Sequence, residues 1–106
     1  MKRKPFSIVY APAVRDHILA IDKSERSFIR QAIMDKLSNE PNVESRNRKP
    51  LKRPAEHGGD WELRFGEQNR YRVFYRLDLV RREVRVLAVG VKERERLFIA
   101  GKEVKL

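Results

Sequence analysis

The stretch Trp61-Glu62-Leu63-Arg64-Phe65, Gly66-Glu67-Gln68-Asn69-Arg70, Tyr71-Arg72-Val73-Phe74-Tyr75-Arg76-Leu77 decides the fold. Trp61, Leu63 and Phe65 alternate with Glu62 and Arg64, and Tyr71, Val73, Tyr75 and Leu77 alternate with Arg72, Phe74 and Arg76. A period of two places one set on each face of a strand. Gly66 to Asn69 reads as a turn between the two strands. A second turn around Leu79 to Arg82 leads into Val84-Arg85-Val86-Leu87-Ala88-Val89, a block apolar on both faces, as expected of a central strand. Short connections make the three strands an antiparallel meander. One face carries Trp61, Leu63, Phe65, Val73 and Tyr75 and requires cover. The other carries Glu62, Arg64, Arg72, Arg76 and Arg85 and reads as a cationic surface.

The cover comes from upstream. Phe6, Ile8 and Tyr10 form a short first strand, closed by Ala11-Pro12. Pro12 suits a first helical turn, and Val14, Ile18 and Ile21 continue at helical spacing to about Ile21. Asp22 with Glu25 three residues on has the pattern of a capping box. Phe28, Ile29, Ala32, Ile33 and Leu37 then form a wide apolar stripe that ends at Asn39 to Pro41. So short a connection predicts that the two helices pack as an antiparallel hairpin. From Asn42 to Gly59 the periodicity disappears. Arg46, Arg48, Lys49, Lys52 and Arg53 lie in this loop with Pro50 and Pro54, and Leu51 is its one apolar anchor. The fold class is α+β: an N-terminal strand, a two-helix antiparallel hairpin, and a three-stranded antiparallel meander forming a sheet with the helices on one face.

With 106 residues, there is material for a single domain spanning 1–106, its core about 6–98 and a tail at 99–106. In that tail Gly101 and the alternating Val104 and Leu106 suggest a turn and a short extended strand, placed either over a sheet edge or in a partner site. Apolar residues make up 41% and charged residues 38%, but the periodic apolar blocks argue against disorder. The 25 Lys and Arg outweigh 15 Asp and Glu, for a net charge of +10. Such an excess on so small a body attracts polyanions or an acidic protein, and Arg matches phosphate geometry better than Lys. The plainer reading of the charge is a solubilising surface. Absence of cysteine excludes disulfides and thiolate metal sites. Two histidines without paired carboxylates point to no metal and no cofactor. No apolar run has the length of a membrane span or signal core, so the expected location is cytoplasmic, with no membrane partner.

The helical hairpin after a first strand, the Leu51-Lys52 step before the meander, the two strands quoted above, and Val89-Gly90-Val91-Lys92-Glu93-Arg94 together resemble the RelE/ParE toxin superfamily over roughly Phe6 to Phe98. The resemblance implies a sheet cupping a basic cleft and a cognate antitoxin that wraps the toxin, with operator DNA engaged only through that complex. RelE-like members cut messenger RNA in the ribosomal A site, whereas ParE-like members poison DNA gyrase and lack the ribonuclease residues. Carried over by position, the family's basic residue before the turn falls on Arg64. Its partner two positions earlier, often Lys in the ribonucleases, falls on Glu62. The Arg of the next strand falls on Arg72, the basic residue after the Val-Gly step on Lys92 with Arg94 close by, and the C-terminal Tyr on Phe98, which has no hydroxyl.

Metal-free RNA cleavage needs a base for the 2′-OH, cations for the crowded phosphate and an acid for the leaving oxygen. Arg64, Arg72 and Lys92 suit the second need. Glu62 and Glu93 are candidate bases, although nearby arginines lower carboxylate pKa values and both have the plainer role of pairing with those arginines. His57, just ahead of Trp61, is a titratable group within reach of the cleft edge, and His17 is a boundary residue of the first helix. Phe74 shares the parity of Arg72 and is a candidate stacking platform for bases; Phe98 has either that role or a packing one. With the loop residues Arg46, Arg48, Lys49, Lys52 and Arg53, and with Arg76 and Arg85, these complete an RNA-binding set. Three functions follow: a ribosome-dependent endonuclease, a non-nucleolytic toxin with a protein target such as gyrase, and a basic module that binds nucleic acid without catalysis.

Overall fold

The structure, a computed structural model, describes residues 4–53 and 58–104. In chain order the elements are β1 (Ser7–Tyr10), α1 (Val14–Leu19), a 3₁₀ turn (Lys23–Glu25), α2 (Arg26–Leu37), β2 (Arg48–Pro50), β3 (Trp61–Phe65), β4 (Tyr71–Asp78), β5 (Glu83–Glu93), β6 (Arg96–Ile99) and β7 (Lys102–Val104). They form one sheet in the order β2-β3-β4-β5-β6-β7, antiparallel throughout, with β1 added parallel to β5. The two histidine-free stretches quoted first are β3 and β4, paired so that Leu63 faces Val73 and Arg64 faces Arg72.

The alternation does what its period requires. Leu63, Phe65, Tyr71, Val73 and Tyr75 are buried with Val84, Val86 and Val89 of β5, under Val14 and Ile18 of α1 and Ile29, Ala32, Ile33 and Leu37 of α2. Tyr75 is fully buried and stacks on Trp61, with ring centroids 6.0 Å apart. Its hydroxyl donates to the Pro41 carbonyl at 2.7 Å, so the phenol has a partner inside the core. Burial pushes its pKa well above that of a free tyrosine.

Several expectations are corrected. Helix α1 stops at Leu19, short of Ile21. Asp22 does cap the following turn, accepting from the Ser24 amide at 3.2 Å. Glu25, however, does not close a capping box: its carboxylate accepts from the Tyr71 hydroxyl at 2.8 Å, tying the helical layer to β4. Burial and this bond raise the Tyr71 pKa to about 12. Phe28 is half exposed and meets Phe65 and Tyr71 only at the rim of the core. The basic loop is not wholly irregular, since β2 adds an edge strand to β3. The strand expected over 84–89 runs on to Glu93, and the residues after it form the β5–β6 and β6–β7 hairpins, which end the sheet. Gly66 turns the chain between β3 and β4 at φ 85°, where a Cβ would lie 2.6 Å from the Tyr71 ring.

One edge of β5 is shared. β1 pairs with Glu83 to Val86, and β6 with Gly90 to Glu93. In the gap between them the Val89 amide would be an unpaired donor, and His17 of α1 accepts it through Nδ1 at 3.2 Å. This bond needs the neutral imidazole. Burial lowers the His17 pKa below the ordinary value, against the smaller opposite pull of Asp16, while Glu93 lines the same cavity.

Two predictions follow from these contacts. Leu63→Ala leaves a cavity in the core and is expected to cost about 3 kcal/mol in urea unfolding. Because unfolding frees His17 to titrate near 6.5, the unfolded chain binds more protons than the folded one just below that pH. The His17 contribution is therefore complete above pH ~6.5 and declines as pH falls toward its lowered folded pKa. Subtracting the pH–stability curve of His17→Gln from that of the native chain should isolate this slope. Parallel curves would show that His17 does not cap Val89.

Candidate nucleic-acid interface

Residues opposed across a ladder share a face, so the register sorts the charged side chains without ambiguity. On the face away from the helices, Lys49 lies opposite Glu62 and Glu62 opposite Phe74. The next row is Arg64, Arg72, Gly90, Ile99 and Lys102, each paired with the one before. Lys92, Leu97 and Val104 form the row beyond, and Arg76 with Arg85 lie toward the other end of the sheet.

Three of these charges meet. Arg64 Nε donates to Glu62 Oε1 at 2.7 Å, and Arg72 Nη1 lies 3.6 Å from Glu62 Oε2. The Glu62 and Arg72 side chains are only 9% and 8% exposed, whereas that of Arg64 is 42% exposed. Arg72 is held from its other side as well, its Nε donating to the Asn69 carbonyl at 3.1 Å. Burial lowers the Arg72 pKa, and the Arg64 charge adds to this while Glu62 opposes it. Arginine nonetheless stays protonated, so the cluster of two guanidinia and one carboxylate keeps a net positive charge.

This face is not the plain cationic surface expected from the alternation. Phe74, Ala88 and Leu97 are buried on it, with Leu51, Ile99 and Val104 packed around them as a second, smaller core. Phe74 is 4% exposed and offers no ring face to a base, which corrects its assignment as a stacking platform. Gly90 lies under this cover: a Cβ there would stand 3.0 Å from Ile99 Cγ1, Leu97 Cδ1 and the Phe98 carbonyl. The β6–β7 hairpin thus packs across β5 where a larger residue would hold it off.

Of the other candidates, Lys92 lies on this face beside the row of Arg72. Glu93 and Phe98 do not. Both line a cavity with His17, Ala20 and Ile21, on the helix-covered side, so neither joins Arg64 and Arg72. Arg94 is exposed in the β5–β6 turn at φ 57°. Arg48 faces the helices, donating to the Val43 carbonyl at 3.0 Å and to the Lys36 carbonyl near the end of α2 at 3.1 Å, a structural use that removes it from the RNA-binding set. Arg46, Lys49, Lys52, Arg53, Arg76 and Arg85 are exposed, and Arg85 lies 3.7 Å from Glu83. His57 falls outside the described residues. Asn69 and Lys102 were not anticipated. The first acts through its backbone, which no side-chain pattern reveals, and the second takes its place through the ladder of β7 on β6, whose partner strand the tail's own pattern does not name. Among the described residues no three His, Asp or Glu side chains gather as a metal-binding group, and no helix is long and apolar enough to cross a membrane.

No family model and no curated protein matches the sequence. Among solved structures the chain is similar to the toxin–antitoxin complex RelBE2 from Mycobacterium tuberculosis, at 26% identity and a TM-score of 0.70, over 86% of this chain and 95% of that one. The likeness spans both chains almost end to end and supports a RelE-like toxin fold for this chain, a sheet that carries its helices on one side.

Proposed function

We propose that this protein is the toxin of a toxin–antitoxin pair and that it inhibits translation by cleaving messenger RNA on the ribosome, with the Glu62–Arg64–Arg72 cluster as its reacting centre. The observation that supports this best is the register that sets Arg64 directly against Arg72 with Glu62 bonded to the first and close to the second. Two guanidinia converging from adjacent strands can hold a phosphodiester and meet the charge that grows on it in the transition state. In the reaction the 2′-oxygen forms a bond to phosphorus and the bond to the 5′-oxygen breaks. Glu62 takes the 2′-OH proton, and the leaving oxygen takes one from water. Lys92, one row away, adds charge to the same side. The exposed Lys49, Lys52 and Arg53 draw the RNA in. The cytoplasm is where such a reaction has its substrate, and the cognate antitoxin would silence it by covering this face.

A second reading is a ParE-like toxin that binds a protein such as DNA gyrase without cutting RNA. What favours it is that Phe98 lacks a hydroxyl and lies on the helix-covered side, so Glu62 alone contacts the arginines as a proton-transfer group. A basic module without catalysis is the remaining alternative, recognisable by binding to any nucleic acid that collapses with salt.

Translation in an extract supplied with purified protein, with the messenger mapped by primer extension, separates these. Discrete breaks within translated codons are the expected result, and an intact messenger would move the target to gyrase. Arg64→Ala is the cleaner test of the centre, because its half-exposed side chain can be removed without opening the core; a loss of about 10²–10³ in cleavage rate is expected. Arg72→Ala also abolishes cleavage but leaves the buried Glu62 half paired, at a cost of about 3 kcal/mol. Full cleavage by the Arg64 variant would sink the assignment.

A further inference from the structure

The cluster contains one feature that phosphate binding alone does not call for. A site made only to take an anion would present empty guanidinia, and this one already holds an anion of its own. Glu62 is a buried carboxylate with one oxygen bonded to Arg64 at 2.7 Å and the other 3.6 Å from Arg72. A carboxylate and a phosphodiester use the same donors on an arginine. The two contacts are unequal. Arg64, 42% exposed at the side chain, makes the short bond, while Arg72 is buried, anchored to the Asn69 carbonyl, and sits at a distance too long for a good hydrogen bond.

Resting on the nucleic-acid reading above, we propose that Glu62 is an internal stand-in for the phosphate: it occupies the guanidinium of Arg64 in the free protein and gives it up when an RNA phosphodiester enters. Arg72 stays where Asn69 holds it, and Arg64, with the solvent-facing side chain, is the group that exchanges partners. The arrangement has two consequences. In the free protein Glu62 keeps two like charges on adjacent strands from repelling each other, since directly opposed like charges destabilise a sheet. In binding, each phosphate must compete with a carboxylate already in place, so Glu62 restrains affinity for RNA in general. A substrate positioned by other contacts, as on a ribosome, overcomes this restraint, whereas loose RNA does not. Glu62 is therefore a discriminating residue as well as a structural one.

The experiment measures binding of a short 2′-O-methyl oligoribonucleotide, which cannot be cut, to the native protein and to Glu62→Gln across a range of salt. The amide keeps the shape and a hydrogen-bond acceptor but drops the charge. Glu62→Gln is expected to bind about tenfold more tightly, the equivalent of one charge-assisted hydrogen bond no longer contested. Its log affinity should fall with log salt more steeply by about 0.7, the increment for one more neutralised phosphate on a single strand. Equal affinity and slope in the two proteins would overturn the stand-in role and leave the nucleic-acid reading intact. Failure of both to bind even at low salt would overturn both readings. Tighter binding by Glu62→Gln, together with an intact messenger in the extract, would keep the stand-in and remove the endonuclease. Should the variant not fold, the Nε–Hε NMR signals of the native protein decide the matter. On saturation with the oligonucleotide the Arg64 signal should move and the Arg72 signal should stay; an unmoved Arg64 signal overturns the proposal.

Discussion

The way both faces of the sheet are covered beyond the middle of β5 depends on one extra residue in that strand. Phe74 and Tyr75 are consecutive in β4, yet they pair with Ala88 and Val86, leaving Leu87 without a partner. A bulge of this kind reverses the parity of everything beyond it. Before it, Val84 and Val86 point at the helices; after it, Val89 and Val91 do. Without the slip, a strict alternation continued from Val86 would turn Ala88 and Gly90 toward the helices and expose Val89 and Val91. With it, Ala88, Gly90 and Lys92 come to the arginine side, and Glu93 goes to the other. The small residues Ala88 and Gly90 then leave room for Leu97 and Ile99 to fold over from β6.

The buried ion cluster is made tolerable by contacts within β3, β4 and the turn that joins them. Taking Glu62 and Arg72 out of water is expensive unless their bonding capacity is met within the protein. Here the carboxylate has two guanidinia and Arg72 has a backbone carbonyl besides, while Arg64 keeps contact with solvent. An apolar trio in these positions would pack at lower cost, so stability alone does not account for the charges. The cost is better explained by the proposed use: a guanidinium buried in low-dielectric surroundings and fixed before its ligand arrives acts more strongly on a developing charge than one that must first be oriented.

How much of this was legible in the sequence follows from the physics of each element. The β3 and β4 alternation spans enough residues for its period to be unmistakable, and it identifies the helix-facing buried side chains Leu63, Phe65, Val73 and Tyr75, though not the burial of Arg72 and Phe74 on the opposite face. It also identified Arg64 and Arg72 as neighbours on one face. The block 84–89 is the central strand that its two apolar faces imply, but its residues reach both faces as two half-strands of opposite parity joined at Leu87. A bulge costs one residue and leaves no composition signature, so periodicity alone blurs it. β2 spans three residues, too short for any period to register, and exists because β3 supplies the ladder, whereas Gly101 and Val104 do point to the turn and short edge strand that β7 forms. Glu25 had the spacing of a capping residue but met a better partner in the Tyr71 hydroxyl, a contact across 46 positions that local rules cannot see. His17 was read as a boundary residue because its purpose, the orphaned amide of Val89, arises only when β1 and β6 are seen to share one edge.

The excess of positive charge divides accordingly into two kinds with different work to do. Lys49, Lys52, Arg53, Arg76 and Arg85 are exposed, and such charges act over about a Debye length, roughly 8 Å at physiological salt. They raise the local concentration of a polyanion but cannot orient it. Arg64 and Arg72 have little reach, being partly or wholly enclosed and already matched to Glu62, but they have fixed direction. Composition reports only the sum of the two, which is why a net charge of +10 suggested an attraction and could not indicate a site. The candidate site comes from register: two arginines brought opposite each other by the β3–β4 ladder, a carboxylate two residues from one of them and in reach of both, and a backbone carbonyl at the turn that pins the second. It follows that exchanging any of the outer cations should alter the approach of a partner, while moving the register of β3 against β4 by one residue would dissolve the centre and leave the net charge untouched.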